Sequence, residues 1–497
     1  AEVHNVKAFA AYEQFTYRND YLQARRQDFV STAVDELFAG DSNSQTNNGT
    51  AIERARVNFF GRVDYDYAGK YIFQFNWRYD GSENFPKENR FGFFPGVSVG
   101  WRASEEAFWK ENISWMDYFK LRASWGQMGN DAVDAFQYIT AYTFNNPGIF
   151  GNGINTGVWL QRTANPNITW EVANTFNVGL ETKFLKYWSF DLDLFYTKRT
   201  NVLATRNAAV PQYAGLSLPM ENIGEMSNRG VEFSLGYNRR FGSDWGFMAS
   251  GNFSYNRSRI DYIDEPATTL EWQKRTGLPI NNVGLMYESS GIFRTQQELD
   301  SYPHLSNVRL GDVRFVDTDG NGIINGDDRI RPDKSFVPRI NFGINLGLTW
   351  RDWSLTALFQ GAADVSQYTF MEAGAIGNFT KDFFDNRWTP ETPNAKYPRT
   401  YDRISTVTGG GSYINTFFLN DASYLRMKSI ELGYSLPKSL IQSTFLENVR
   451  FSLSGYNLLT FTGFKNLDPE TLVDGQWFSG WNTPQSKVIN FGVNVTF

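Results

Sequence analysis

The chain has 497 residues, with 53 Asp and Glu against 47 Lys and Arg, and it contains no cysteine. That absence excludes a disulfide framework, a thiolate metal site and a cysteine nucleophile, and the acidic balance argues against a nucleic-acid binder. Aromatic residues make up 17% of a chain whose mean hydropathy is only −0.43, a combination that arises when strands alternate lipid-facing rings with water-facing polar groups.

No apolar run approaches the ~20 residues of a membrane helix. No low-complexity or Pro/Ser-rich linker divides the sequence. The opening Ala1-Glu-Val-His has neither the basic nor the apolar region of a signal peptide, so the chain is expected to be processed or part of a longer one.

A period of two marks a strand with one apolar face. It recurs about fourteen times, more often than in a usual open sheet. The predicted strands are 6–17, 57–67, 71–79, 94–102, 119–125, 176–184, 188–197, 231–237, 247–255, 339–351, 354–359, 424–436, 449–454 and 488–497. The clearest alternates Trp188, Phe190, Leu192, Leu194 and Tyr196 with Ser189, Asp191 and Asp193. In a sandwich those aspartates would be buried without partners; a wet lumen accepts them at little cost. Asp64, Asp66, Gln74, Asn76 and Arg78 repeat the pattern. Between Met427 and Ile430 the apolar phase slips, which predicts a bulge. The final strand turns Ile489, Phe491, Val493, Val495 and Phe497 to one side and stops on an aromatic residue, as barrels of the outer membrane close. Phe497 is expected at the periplasmic rim.

Short and long connections alternate. The short links are 67–71, 184–188, 240–245 and 351–353, with longer ones at 103–118, holding a helical turn at 105–110, and at 437–448. The long links are 19–53, 128–169, 198–221, 260–337, 361–421 and 462–487, with 80–90 the one shorter member. Such segregation is the outer-membrane arrangement, long loops outside the cell. The pattern therefore predicts an all-β chain forming a transmembrane antiparallel barrel. Three readings stay open on the residues: a transporter, a self-contained fourteen-strand passive porin or adhesin, and a secreted β-rich carbohydrate-binding or hydrolytic protein.

The most specific local motif is Asp317-Thr-Asp-Gly-Asn-Gly-Ile-Ile-Asn-Gly-Asp-Asp328. Asp317, Asp319, Asn321, Ile323 (through its carbonyl), Asn325 and Asp328 fall where an EF-hand loop places its ligands, and Gly322 falls at the sharp turn. A structural Ca²⁺ is the expected occupant, and a solvated Asn/Gly turn is the alternative, since no flanking helices are predicted. The carboxylate pairs Glu105/Glu106, Asp191/Asp193 and Asp327/Asp328 would suit a glycosidase. A helix start, a lumen wall and the cation loop account for them better. Neither histidine, His4 or His304, has a nucleophile signature near it, so no enzyme is expected. Among loop aromatics, Trp388, Tyr397, Trp477, Phe478 and Trp481 are candidate substrate contacts, with Trp272, Tyr287 and Phe293 as further rings. Flat rings stack on sugars and also fill peptide contacts, although loop-internal packing is the ordinary role of any one of them.

Six phrases also resemble the SusC/RagA-like TonB-dependent outer-membrane transporters. They begin with Phe93-Phe-Pro-Gly-Val-Ser-Val-Gly-Trp-Arg102 and Asp117-Tyr-Phe-Lys-Leu-Arg-Ala-Ser-Trp-Gly-Gln-Met-Gly-Asn130. Ile223-Gly-Glu-Met-Ser-Asn-Arg-Gly-Val-Glu232 and Asp312-Val-Arg-Phe-Val-Asp-Thr-Asp-Gly-Asn-Gly322 follow in order. Ser423-Tyr-Leu-Arg-Met-Lys-Ser-Ile-Glu-Leu-Gly-Tyr434 and Leu453-Ser-Gly-Tyr-Asn-Leu458 complete them. The resemblance implies a 22-stranded barrel with a plug, of which this chain would supply the C-terminal part from near the ninth strand. The plug and the TonB box are absent from it. It further implies TonB-driven import of an oligosaccharide or peptide beneath a SusD-like surface lipoprotein. The closing strand would then be the seam whose second partner lies in the other half.

Overall fold

Alternating side chains are compatible with only one continuous backbone partner on each side, and the chain uses that to the full. The computed structural model describes residues 3–151, 153–206, 218–369, 380–400, 413–465, 467–471 and 483–497. Fourteen strands form one antiparallel sheet in which each strand pairs with its neighbour in the series. They are β1 (His4–Arg25), β2 (Thr46–Tyr67), β3 (Tyr71–Ser82), β4 (Phe91–Trp101), β5 (Met116–Asn130), β6 (Glu171–Phe184) and β7 (Trp188–Thr205). The series continues with β8 (Met220–Phe241), β9 (Trp245–Tyr262), β10 (Ile340–Trp350), β11 (Trp353–Ala363), β12 (Tyr424–Ser435), β13 (Asn448–Thr462) and β14 (Val488–Thr496). β1 and β14 are its edges. Among the described residues no helix is long and apolar enough to cross a membrane; crossing falls to the strands.

The two faces separate as the alternation requires. Leu194, Tyr196, Ile344, Leu346 and Leu348 stand exposed on the outward face, where lipid covers them. On the other face Arg122 of β5 pairs with Glu181 of β6 at 3.0 Å and Asp193 of β7 at 2.6 Å. Of the aspartates read as lumen residues, Asp193 is thus tied to a cation on the wet wall and Asp191 accepts from the Ser234 hydroxyl. Above Tyr196 on the outward face, where the strands stand clear of the membrane, Lys198 of β7, opposite Ser227 of β8, bridges Glu225 of β8 at 2.7 Å and Asp261 of β9 at 2.9 Å. Beside the short turns, aromatic pairs form a belt: Trp188–Tyr237 at 4.7 Å, Trp245–Trp350 at 5.5 Å and Trp353–Tyr434 at 4.6 Å. Amphipathic rings favour that depth, at the boundary between headgroups and hydrocarbon.

Strands run further than the alternation indicates. β1, β2 and β8 have 22 residues each, about twice the 9–11 that span a bilayer. The connection expected at 19–53 therefore shrinks to 26–45, and that expected at 198–221 shrinks to 206–219. Above the membrane both faces of a strand are wet. The ladder continues there while the apolar signal stops, as in Arg18-Asn19-Asp20 against Ala51-Ile52-Glu53. Inside the connection expected at 128–169, Ala141–Phe150 and Gly153–Arg162 form a hairpin of their own. The helical turn expected at 105–110 is present as a 3₁₀ turn, Ala103–Glu105, followed by a short helix, Ala107–Asn112. The predicted bulge is also present. Ser429 pairs with Leu358 and Met427 with Phe359, so Lys428 is left out of the ladder.

The tight turn from β6 to β7 places two bulky residues, Leu185 at φ 51° and Lys186 at φ 65°, in the left-handed region. They begin the three-residue link 185–187 between the paired Phe184 and Trp188, and glycine or asparagine adopts such backbone with least strain. Lys186→Gly is expected to stabilise the folded barrel by about 1 kcal/mol, measured as a rise in the urea midpoint of the detergent-solubilised protein; an unchanged or lower midpoint would show that the turn is not strained.

Candidate functional site

The long connections are knit together. Segments from the β9–β10 connection and from both ends of the β11–β12 connection share one hydrophobic core, containing Met286, Tyr287, Phe315, Tyr368, Ile414 and Phe418. Three small ladders frame it: Met286–Tyr287 with Arg329–Ile330, Ser289–Ile292 with Val313–Phe315, and Ser366–Tyr368 with Leu419–Asp421. Backbone bonds stitch across them, Tyr287 N–H to Ile414 O at 2.8 Å and Thr369 N–H to Phe418 O at 3.0 Å. Two of the loop rings therefore serve packing. Tyr287 is 5% exposed and stacks on Phe315, with centroids 4.7 Å apart, and Phe293 is 1% exposed.

Trp388 and Tyr397 lie on one rim of this module. Thr380 caps the short helix Lys381–Asn386 by accepting from the N–H of Phe383. The chain then folds back so that Trp388 N–H donates to Tyr397 O at 3.0 Å, and Arg399 N–H donates to Gly311 O at 2.8 Å. Gly311 has φ +86°, and a Cβ there would fall 2.4 Å from the Trp388 ring. The indole is thus seated against a backbone that only glycine permits. It lines a cleft of about 540 Å³ together with Gln296, Leu299, Arg309, Arg387 and Arg399. Tyr397 is buried beneath. Its ring packs on Phe383 at 5.2 Å, its hydroxyl hydrogen-bonds Asp382 at 2.5 Å, and Lys396 Nζ donates to it at 2.6 Å. Burial, reinforced by the bond to Asp382, pushes the Tyr397 phenol up. Tyr397 supports Trp388 through the backbone and offers little free ring face of its own. Trp477, Phe478 and Trp481 lie outside the described residues.

The acidic loop closes on itself. Asp317 accepts from the N–H groups of Gly320 at 2.9 Å and Gly322 at 2.8 Å, and Asp328 accepts from those of Thr318 and Asn325, both at 2.8 Å. Asn321 accepts from Ile323 N–H at 2.7 Å and Asn325 from Asp327 N–H at 2.6 Å. Gly320 (φ +73°) and Gly322 (φ +79°) supply the left-handed turns. The outcome brings Asp317, Asp319 and the fully buried Asp328 together, with one carboxylate oxygen of each within 4.8 Å of the others. Short strands, not helices, flank the loop. Trp272 donates its indole N–H to Asp327 O at 2.7 Å.

The carboxylate pairs are engaged in ways that need no catalysis. Glu105 pairs with Lys110 at 2.7 Å, while Glu106 ties Lys70 at 2.9 Å to the Tyr71 hydroxyl at 2.7 Å across two short-side links.

Sequence reasoning missed one constellation. Arg426, on β12 just before the bulge, reaches Asp468 at 2.7 Å and Glu470 at 2.6 Å, and Lys428 meets Glu470 at 2.7 Å. Gln367 adds bonds to the carbonyls of Pro469 at 2.8 Å and Thr471 at 3.0 Å. Arg426 and Asp468 are almost wholly buried, at 4% and 5% side-chain exposure. The available signal was two cations on one strand face at a bulge; what they meet lies forty residues further on. Burial raises the Asp468 carboxyl, but its bonds from Arg426 and from the N–H groups of Gln485 and Glu470 outweigh this and hold it below its ordinary value.

Because the folded-state value is depressed, the stabilisation from Asp468 is complete above the ordinary carboxylate range, about pH 4, and is lost as pH falls through the folded value. Arg426→Met leaves the buried Asp468 without its cation, while Glu470 keeps Lys428, and is expected to cost about 3 kcal/mol. Protease nicking near Lys465 should rise in the variant at pH 7, and in the parent only well below pH 4; equal resistance of the two at pH 7 would show that the pairing holds nothing in place.

Comparison with known proteins places this architecture. The family model for the TonB dependent receptor-like β-barrel matches residues 3–458. TonB-dependent receptor P3 of Formosa agariphila is 31% identical over 521 aligned positions, covering 99% of this chain and 51% of that protein. SusC of Bacteroides thetaiotaomicron is 26% identical, covering 92% of this chain and 45% of its own. The RagAB peptide transporter superimposes with a TM-score of 0.80 at 26% identity, over 100% of this chain and 54% of that one. The chain thus spans about half the length of the curated relatives it matches. With its strand order, wet inner wall, aromatic belt and segregated loops, it belongs to the TonB-dependent receptor-like β-barrel family of the outer membrane.

Proposed function

We propose that this chain is the C-terminal portion of a plugged, 22-stranded barrel that imports an oligosaccharide or a peptide across the outer membrane. TonB would supply the energy through the plug, and a SusD-like lipoprotein would sit over the long loops. One observation carries the reading: nearly the whole chain aligns with SusC and with the RagAB peptide transporter while covering about half of each. The edges of the sheet agree with it. β1 and β14 each carry a row of backbone groups without a partner strand among the described residues, and in lipid such groups need one; about eight further strands would complete the barrel. The loop module offers a preformed outer platform of the kind a lipoprotein partner requires. In cells carrying the full-length receptor, uptake of a labelled oligosaccharide or peptide is expected to vanish on deletion of TonB; undiminished uptake would leave a passive pore.

The acidic loop fits a structural calcium ion. Oxygens around Ca²⁺ at 2.3–2.6 Å lie no more than about 5 Å apart, and the three carboxylates already meet that limit at 4.8 Å. Asp317, Asp319 and Asp328 would hold the ion, with Asn321, Asn325 and the Ile323 carbonyl completing the set. Its bound charge would offset the mutual repulsion of the carboxylates and stiffen the loop. Terbium, a calcium stand-in, is expected to show luminescence sensitised by Trp272, displaced by calcium and abolished by Asp328→Asn. Calcium should also raise the Tm by a few degrees; no sensitised emission and no Tm shift would identify the loop as a self-bonded turn.

A further inference from the structure

The cleft at Trp388 has a composition at odds with the rest of the molecule. Acidic residues outnumber basic ones in the chain, 53 to 47, yet among the described residues the cleft is lined by three arginines, Arg309, Arg387 and Arg399, and by no carboxylate. Glu391, the acidic residue nearest in sequence to Trp388 on its C-terminal side, hydrogen-bonds Thr389. Arg387 is held in plane over the Phe384 ring at 4.0 Å and donates to the Phe384 carbonyl. Arg309 is exposed, and among the described residues its guanidinium enters no hydrogen bond or ion pair; its backbone alone is used, the N–H donating to the Asp312 carboxylate and the carbonyl accepting from the Asp312 N–H. Arg309 therefore brings to the cleft a positive charge with no side-chain partner among the described residues, one that an anion would join favourably.

Resting on the import reading above, we propose that this cleft recognises acidic oligosaccharides. Trp388 would stack on a sugar ring while the arginines pair its anionic groups. Guanidinium forks match carboxylate and other oxyanions with two parallel hydrogen bonds, and an indole face suits the flat apolar side of a pyranose. A peptide fits less well. Extended peptides bind by adding a strand to a free backbone edge, and here the backbone is already engaged. Trp388 N–H bonds Tyr397 O, Arg399 N–H bonds Gly311 O, and Gly311 N–H bonds Phe293 O. What the cleft leaves open is ring face and the Arg309 guanidinium rather than main chain. Trp388 is positioned for this by the Gly311 contact, so its indole is pre-set and loses little freedom on binding.

The test titrates the full-length receptor in detergent with four probes of similar length: an oligogalacturonate, a sulfated galactan oligosaccharide, a neutral malto-oligosaccharide and an oligoglutamate peptide. At least one acidic sugar is expected to bind roughly tenfold or more tightly than the neutral one, and to weaken as salt is raised; preference between the first two probes distinguishes carboxylate from sulfate recognition. Arg309→Gln, at an exposed side chain without partners, should weaken the acidic sugar roughly fivefold or more and leave the neutral one unchanged, with Arg309→Lys intermediate. Equal binding of neutral and acidic sugars, an unaffected Arg309→Gln and Arg399→Gln pair, no binding of either acidic sugar, or tighter binding of oligoglutamate would each overturn the proposal. Uptake assays separate the two readings. TonB-dependent uptake of a neutral sugar or of a peptide, indifferent to these variants, overturns acidic recognition alone. Failure to take up any probe overturns import and acidic recognition together.

Discussion

A backbone that crosses hydrocarbon must satisfy its N–H and C=O groups within the protein, and the rest of this structure depends on the ladder that does so. Once each strand is committed to two neighbours, side chains can point only outward or inward. The outward set becomes apolar and the inward set polar, which is why Leu194 and Asp193 can be adjacent residues with opposite fates. The inward carboxylates are not left alone. Arg122 bridges two of them, Glu181 and Asp193, across three strands, so the lumen wall is cross-braced there perpendicular to the strands.

Outside the membrane the same ladder persists without its hydrophobic sorting, and stability there comes from two other sources. One is a hydrophobic core built from distant loop segments. The other is a buried ionic clasp, in which Arg426 and Lys428 of β12 hold Asp468 and Glu470 of the last long connection. The bulge matters here because Lys428, released from the ladder, is the residue whose amine completes the clasp. A local irregularity in one strand thereby fixes the course of a loop that begins thirty-odd residues later.

The strands, their order and the bulge were legible because alternation is a local signal that survives in a single sequence. Boundaries above the bilayer were not, since Arg18 to Arg25 and Thr46 to Glu53 pair without alternating. The acidic loop rests on a different signal, a one-dimensional spacing of carboxylates, and one oxygen each of Asp317, Asp319 and Asp328 does come together in the fold. The loop aromatics show the limit of composition. Tyr287, Phe293, Trp388 and Tyr397 look alike in sequence, yet three are buried supports and Trp388 alone lines the large cleft. Which is which depends on contacts such as Tyr287 with Ile414 and Trp388 with Gly311, between residues that no periodicity connects. The arginines around Trp388 come from separate segments and become a cluster only after folding.

The three-segment core also constrains the order in which the molecule can be assembled. Tyr287 belongs to the connection between β9 and β10, whereas Tyr368 and Phe418 belong to the next long connection, between β11 and β12. Bringing such distant stretches together before the sheet exists would carry the loop-closure cost of more than a hundred residues. Once β9 through β12 are in register, that cost has already been met by the ladder. The outer module is therefore a late-forming structure, and when formed it acts as a latch across four consecutive strands, resisting the separation of any one of them from the wall.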